Sequence, residues 1–268
     1  MPQEGVQPVA QQAAEHSGIH VTLAPEVITR FLGFPITNTL IMSWIAMAIL
    51  IVGAFFIGRN LKLMPGRFQI FVEALYSLIE DFVHSTLENA LWARRLMPLL
   101  LTMFLFIALA NLLEFTPGVG SVLVYHGAES APFLHGANAD LNNTLALTII
   151  AVFTIEIAGI MSLGFFRYAG KFITFAGHSI SERIINFIVG IIELVSELSR
   201  FVSFSFRLFG NIFAGQVLIA VVSFFVPYIL PSGLMAFEMF VGIVQAAVFA
   251  LLTLFFVKMA IAEPHGSH

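Results

Sequence analysis

Residues 184–226 form a run of 43 residues that is apolar almost throughout yet contains Glu193, Glu197, Arg200 and Arg207. As one α-helix the run would measure about 64 Å, roughly twice the ~30 Å hydrocarbon core of a bilayer. No proline interrupts it, so it lies strongly tilted, with Gly210 as a place for a bend, or folds back as two upright spans. The uninterrupted pattern favours the tilted helix.

Other apolar runs place the chain in the membrane. Residues 39–58 hold twenty positions without a charge and are closed by Arg59 and Lys62. Residues 66–95 set Phe68, Phe71, Val72, Leu75, Ile79, Phe82 and Leu91 at spacings of three and four against Gln69, Glu73, Glu80, His84 and Glu88. Such a two-faced helix belongs on a membrane surface. Residues 96–166 read as a transmembrane hairpin, two spans joined by a polar outer loop over 116–140, with Glu156 the one charge in its second span. The run bearing Arg207 and a last apolar segment then form a hairpin over 184–257, turning between Pro227 and Pro231. The fold class is an all-α integral membrane protein with five membrane-crossing helices, one amphipathic surface helix and a long tilted hairpin at the end. Only 10% of the residues are charged, against roughly 25% in soluble domains.

Charge sets the orientation. Eight of the twelve Lys and Arg fall between Arg59 and Arg95 or between Arg167 and Arg183, Lys258 follows the last span, and the 116–140 loop has none. The positive-inside rule then puts the tail over 1–38 outside and the tail over 258–268 in the cytoplasm. The first twenty residues carry Glu4 and Glu15 but no Lys or Arg, which reads as a mature polar tail and not as a signal or transit peptide. With no cysteine, the chain has no disulfide, no thiolate metal site and no cysteine nucleophile. Neither metal nor cofactor is expected, and nothing suggests nucleic acid.

Glu193, Arg200 and Arg207 are spaced by seven, each step falling within about 20° of the last, so they share one helix face. Glu197 and Asn211 extend this polar stripe by steps of four. A charge within a span costs about 2.5–3.5 kcal/mol on insertion scales and usually lines an ion path or a water-filled cavity. Glu197 and Arg200 can neutralise each other as an i, i+3 pair or belong to such a path. Arg207 has no acid within four residues and needs a partner from elsewhere. The last helix carries Glu238 and Gln245, again seven apart, with Gly242 between them.

The run Ser205, Phe206, Arg207, Leu208, Phe209, Gly210, Asn211, Ile212, Phe213, Ala214, Gly215 resembles the arginine-bearing signature of the a subunit of rotary F-type ATP synthases. Pro65 to Gln69, Asn111 to Glu114 with Pro117, Asp140 with Asn142 or Asn143 and Thr144, and Gln245 to Phe249 resemble four further segments of that family, in order. The resemblance implies a proton-translocating stator subunit whose tilted hairpin lies against the ring of c subunits, with peripheral-stalk b subunits and lipid as its other neighbours. It implies a multi-pass protein of a bacterial inner membrane and no catalysis by the chain itself. Arg207 would face the ring's carboxylate and separate two aqueous half-channels. Asn111, Glu114, Asp140, Asn211, Gln216, Glu238 and Gln245 match the outer one; Glu193 and Ser196 match the cytoplasmic one. Relatives carry two titratable groups where this chain has Gln216 and Glu238, which leaves Gln216 a hydrogen-bond partner. Glu156 matches no family pattern and could pair with Arg200 or line a channel.

Other classes fare worse. A haem-bearing anchor needs histidines within spans, and all eight lie in loops, tails or the surface helix. A stand-alone channel or secondary transporter suits the buried charges, but no internal repeat supports it. There is no GxxxxGK[ST] phosphate loop for ATP hydrolysis.

Overall fold

The computed structural model describes residues 26–31, 33–116, 119, 123–126, 129–170 and 180–262. The tail up to residue 25, the closing tail beyond 262, Pro117 and Lys171 lie outside the described residues. Within the segment read as a polar tail, β1 (Val27–Phe31) and β2 (Phe34–Thr37) pair antiparallel, Arg30 opposite Pro35. A second small hairpin, β3 (Leu123–His126) with β4 (Glu129–Pro132), stands in the outer loop. Everything else of size is helical: α1 (Asn38–Arg59), α2 (Arg67–Leu87), α3 (Ala90–Glu114), α4 (Leu141–Leu163), α5 (Phe165–Ala169), α6 (Ile180–Phe225) and α7 (Ile229–Ile261). Five of these, α1, α3, α4, α6 and α7, are long and apolar enough to cross a membrane.

Local chemistry starts the helices. The Thr37 hydroxyl accepts from the Leu40 amide at the head of α1, and the Asp140 carboxylate accepts from the Asn142 amide at the head of α4. One boundary differs from the sequence reading, which ran the surface helix through to residue 95 and began the second span at 96. Glu88 takes a left-handed conformation (φ 55°) that closes α2, and the Asn89 side chain then accepts from the Leu91 and Trp92 amides to open α3. At the other end of α4, Gly164 (φ 83°) stops the helix three residues before Arg167, ahead of the predicted limit of 166.

α6 is one unbroken helix of 46 residues, about 69 Å long, and α7 has 33 residues, about 50 Å. The upright-hairpin alternative for residues 184–226 is thereby excluded. A helix of α6's length fits within ~30 Å of hydrocarbon only at more than about 60° from the membrane normal, unless its ends leave the membrane.

The interior joins α3, α4, α6 and α7. Met103, Ile107, Leu147, Ala151, Phe204, Leu208, Ala246 and Phe249 form its centre, with Phe204 and Phe249 edge to face at 5.1 Å. A second cluster, including Val83, Leu87, Leu96, Leu100, Ile155, Leu254 and Val257, seats the end of α2 on α3, α4 and α7. Conversely, Ile51, Phe55 and Phe56 on α1 and Ile184, Ile188, Ile192, Leu194 and Leu198 on α6 are exposed, as faces turned to lipid or to another subunit must be.

Candidate functional site

Two turns of α6 decide the placement of Arg207. Phe204, Ser205 and Leu208 are buried against the other helices, which leaves Ser203, Phe206 and Arg207 on the outer side. Arg207 Nη2 donates to Ser203 Oγ at 3.0 Å, and among the described residues no carboxylate comes within ion-pair distance of the guanidinium. A lone cation on such a helix surface is expensive unless an anion or a water-filled cavity lies against it.

Behind α6, toward the ends of the helices near the 116–140 loop, polar groups gather from α1, α3, α4, α6, α7 and the turn at residues 137–139. Asn111 on α3 is fully buried; its Nδ2 donates to the Gly242 carbonyl at 2.9 Å, and its Oδ1 accepts from Asn138 at 2.7 Å. Asn143 donates to Asn138 at 3.0 Å, and Ser43 on α1 donates to Asn143 at 3.3 Å. Asp140 accepts from the Thr39 hydroxyl at 2.8 Å. Gln216 on α6 donates to Glu114 on α3, and Asn211 donates to Gln245 on α7 at 3.0 Å.

Glycines create the room. A Cβ on Gly215 would overlap the Glu238 carboxylate, and one on Gly136 would sit 2.5 Å from Glu114 Oε2. A Cβ on Gly242 would come within 2.8 Å of Asn111 Cβ, so α3 and α7 can approach this closely only through glycine. Glu238 and Gln245 are 7% and 5% exposed. Even so, Glu114 Oε2, Glu238 Oε1 and Gln245 Nε2 are buried without a hydrogen-bond partner among the described residues. Buried polar atoms require partners, and three of them in one region suit water or a passing ion. His135, beside Gly136 in the capping loop, is disfavoured as a cation by burial, with Asp140 opposing the shift.

The structure thus brings together Asn111, Glu114, Asp140, Asn211, Gln216, Glu238 and Gln245 within a single region. Gln216, which has no titratable group of its own, is hydrogen-bonded to the Glu114 carboxylate. Glu193 and Ser196 lie elsewhere, half-buried and exposed on α6, about 16–21 Å along the axis on the other side of Arg207. Asn138, Ser43 and Thr39 were missed by sequence reasoning. Asn138 and Thr39 read in sequence as ordinary turn or helix-start residues and Ser43 as a lone hydroxyl in an apolar span, and only the fold supplies their distant partners. Glu197 and Arg200 pair at 2.6 Å, and Glu156 accepts from the Tyr168 hydroxyl at 2.8 Å instead of pairing with Arg200.

A polytopic helical membrane protein with an unsatisfied arginine beside a track of buried carboxylates and amides belongs to the class of ion-translocating membrane subunits. Residues 40–258 match the family model described as ATP synthase A chain. The chain belongs to that family, the ion-translocating and non-catalytic subunits of the synthase's membrane sector. It is 30% identical over 242 residues to the sodium ion specific ATP synthase subunit a of Propionigenium modestum, covering 90% of this chain and 79% of that one. It is 34% identical over 240 residues to ATP synthase subunit a of Desulforamulus reducens, covering 86% and 82%. Against the subunit a of Mycobacterium tuberculosis it is 34% identical over 237 residues, covering 87% and 90%.

Proposed function

We propose that this subunit carries protons through two separate aqueous half-channels to and from the carboxylates of a c-subunit ring, with Arg207 as the charge that keeps the channels apart. The observation that carries this reading is Arg207 itself, exposed at the middle of a 46-residue apolar helix with Ser203 as its sole hydrogen-bond partner among the described residues. Such a cation suits a partner's carboxylate, and along α6 it lies between Glu193 and Ser196 on one side and Asn211 and Gln216 on the other. The outer half-channel comprises Asn111, Glu114, Asp140, Asn211, Gln216, Glu238 and Gln245; the cytoplasmic one comprises Glu193 and Ser196. The N-terminus lies outside and the C-terminus in the cytoplasm of a bacterial inner membrane, and b subunits of the peripheral stalk contact α1 and α2.

Protons are the proposed ion, although the Propionigenium modestum relative is named for sodium. The carboxylates on the track can take up and release a proton, and its amides orient them by hydrogen bonds.

Cysteine accessibility tests the two channels, because the native chain has no cysteine to interfere. In assembled synthase, Ser196→Cys should react with a membrane-impermeant thiol reagent in inverted vesicles, and Gln245→Cys in right-side-out vesicles. Labelling of both from the same side would contradict separate channels.

A further inference from the structure

Arg200 and Arg207 stand seven residues apart, about 20° apart around α6, yet they meet different fates. Arg207 is exposed, whereas the Arg200 side chain is only 10% exposed. Its Nη1 donates to Glu197 at 2.6 Å, and its guanidinium lies over the Phe256 ring of α7, 4.1 Å from the centroid. A second pair stands beside this one. Tyr168, 4% exposed on α5, donates its hydroxyl to Glu156 on α4 at 2.8 Å, and its ring fits over Gly159 where any Cβ would overlap it. Burial, then the Glu156 and Glu197 carboxylates, raise the Tyr168 pKa, so its hydroxyl stays protonated and donates.

The cluster therefore spans α4, α5, α6 and α7. Elsewhere the same half of α6 is largely bare, with Ile188, Ile191, Ile192, Val195 and Leu198 exposed. Neutralising a buried charge needs one carboxylate; here Glu197 and the Phe256 ring both hold the guanidinium, and the Tyr168–Glu156 pair lies close enough to interact with it electrostatically.

We infer that Glu197, Phe256, Glu156 and Tyr168 hold Arg200 off the outer surface of α6, so that a passing rotor carboxylate meets Arg207 and no second cation two turns away. This rests on the function proposed above. An arginine released at position 200 would offer the same planar fork about 10 Å along the helix. A carboxylate caught there must break a poorly solvated ion pair before moving on, and rotation slows. Glu197 and Phe256 are positioning residues, acting on the rotor through Arg200.

The test is ATP synthesis and ATP-driven proton pumping by the whole synthase in vesicles, with assembly checked in the same membranes. Glu197→Gln should lower both rates roughly 10-fold, and adding Arg200→Gln should restore them to within about twofold of wild type. A merely structural pair behaves oppositely, the double variant being no better than the single one, and that result would overturn the inference. So would wild-type rates in Glu197→Gln alone. If Glu197→Gln fails to assemble, Phe256→Leu, which removes the stacking and keeps the ion pair, takes its place with the same expected loss and the same rescue by Arg200→Gln. Normal synthesis by Arg207→Ala would instead refute the underlying reading, whatever the Arg200 variants do.

Discussion

Arg207→Ala is expected to leave the synthase assembled, abolish coupled synthesis and open a passive proton leak through its membrane sector. Assembly survives because the side chain lies outside the core, its neighbours Phe204 and Leu208 making the packing contacts with α3, α4 and α7. Coupling fails because the rotor carboxylate loses its partner. Breaking a desolvated ion pair costs about 3–5 kcal/mol, which is roughly two to four orders of magnitude in rate. The leak follows because the barrier between the two polar groups is then apolar but uncharged, and a protonated carboxylate can pass in either direction. Arg207→Lys should also assemble and lose synthesis at least ~100-fold. A lysine in a dry interface gives up its proton and has no planar fork, whereas arginine stays charged. Synthesis rates, pumping in inverted vesicles and passive flux through the membrane sector separate the two variants.

Glu238→Gln is the second large effect. Glu238 is the one carboxylate of α7, 7% exposed, with Oε1 lacking a protein partner and the carboxylate lodged where Gly215 leaves space. A glutamine fits the same space and still hydrogen-bonds, but it cannot take up and release a proton. A positioned acid–base group contributes about 10²–10⁴-fold to a proton transfer. With the Glu114 carboxylate nearby as a partial bypass, the expected loss of proton-driven synthesis is at least ~10-fold, with assembly unchanged. Synthesis at the wild-type rate between pH 6 and 9 would remove Glu238 from the relay.

The membrane class, the spans and the unbroken character of α6 were legible in the sequence because each is a property of one continuous segment. Apolar length and the absence of proline need no knowledge of neighbours. The break at Glu88 and Asn89 was not legible: Leu87 and Leu91 keep the helical period across it, and the cap is made by an asparagine side chain that looks like any polar surface residue. The site was legible in part, through its motif residues. Pairings were hidden, since Glu114 meets Gln216 across 102 residues of sequence and Asn111 meets Gly242 across 131. The seven-residue spacing gave Arg200 and Arg207 the same face but could not reveal that Phe256, far along the chain, folds one of them away.

The central claim is that the face of α6 bearing Arg207 meets the rotor, and a disulfide tests it most directly. Phe206, 55% exposed beside Arg207, can be made the chain's single cysteine, and a second cysteine placed next to the ring carboxylate of the c subunit. Mild oxidation should link the two and stop ATP-driven pumping, reduction should restore it, and a cysteine at Ile51, 69% exposed on α1, should not link. Failure of Phe206→Cys to link, or equal linking by Ile51→Cys, would contradict the account.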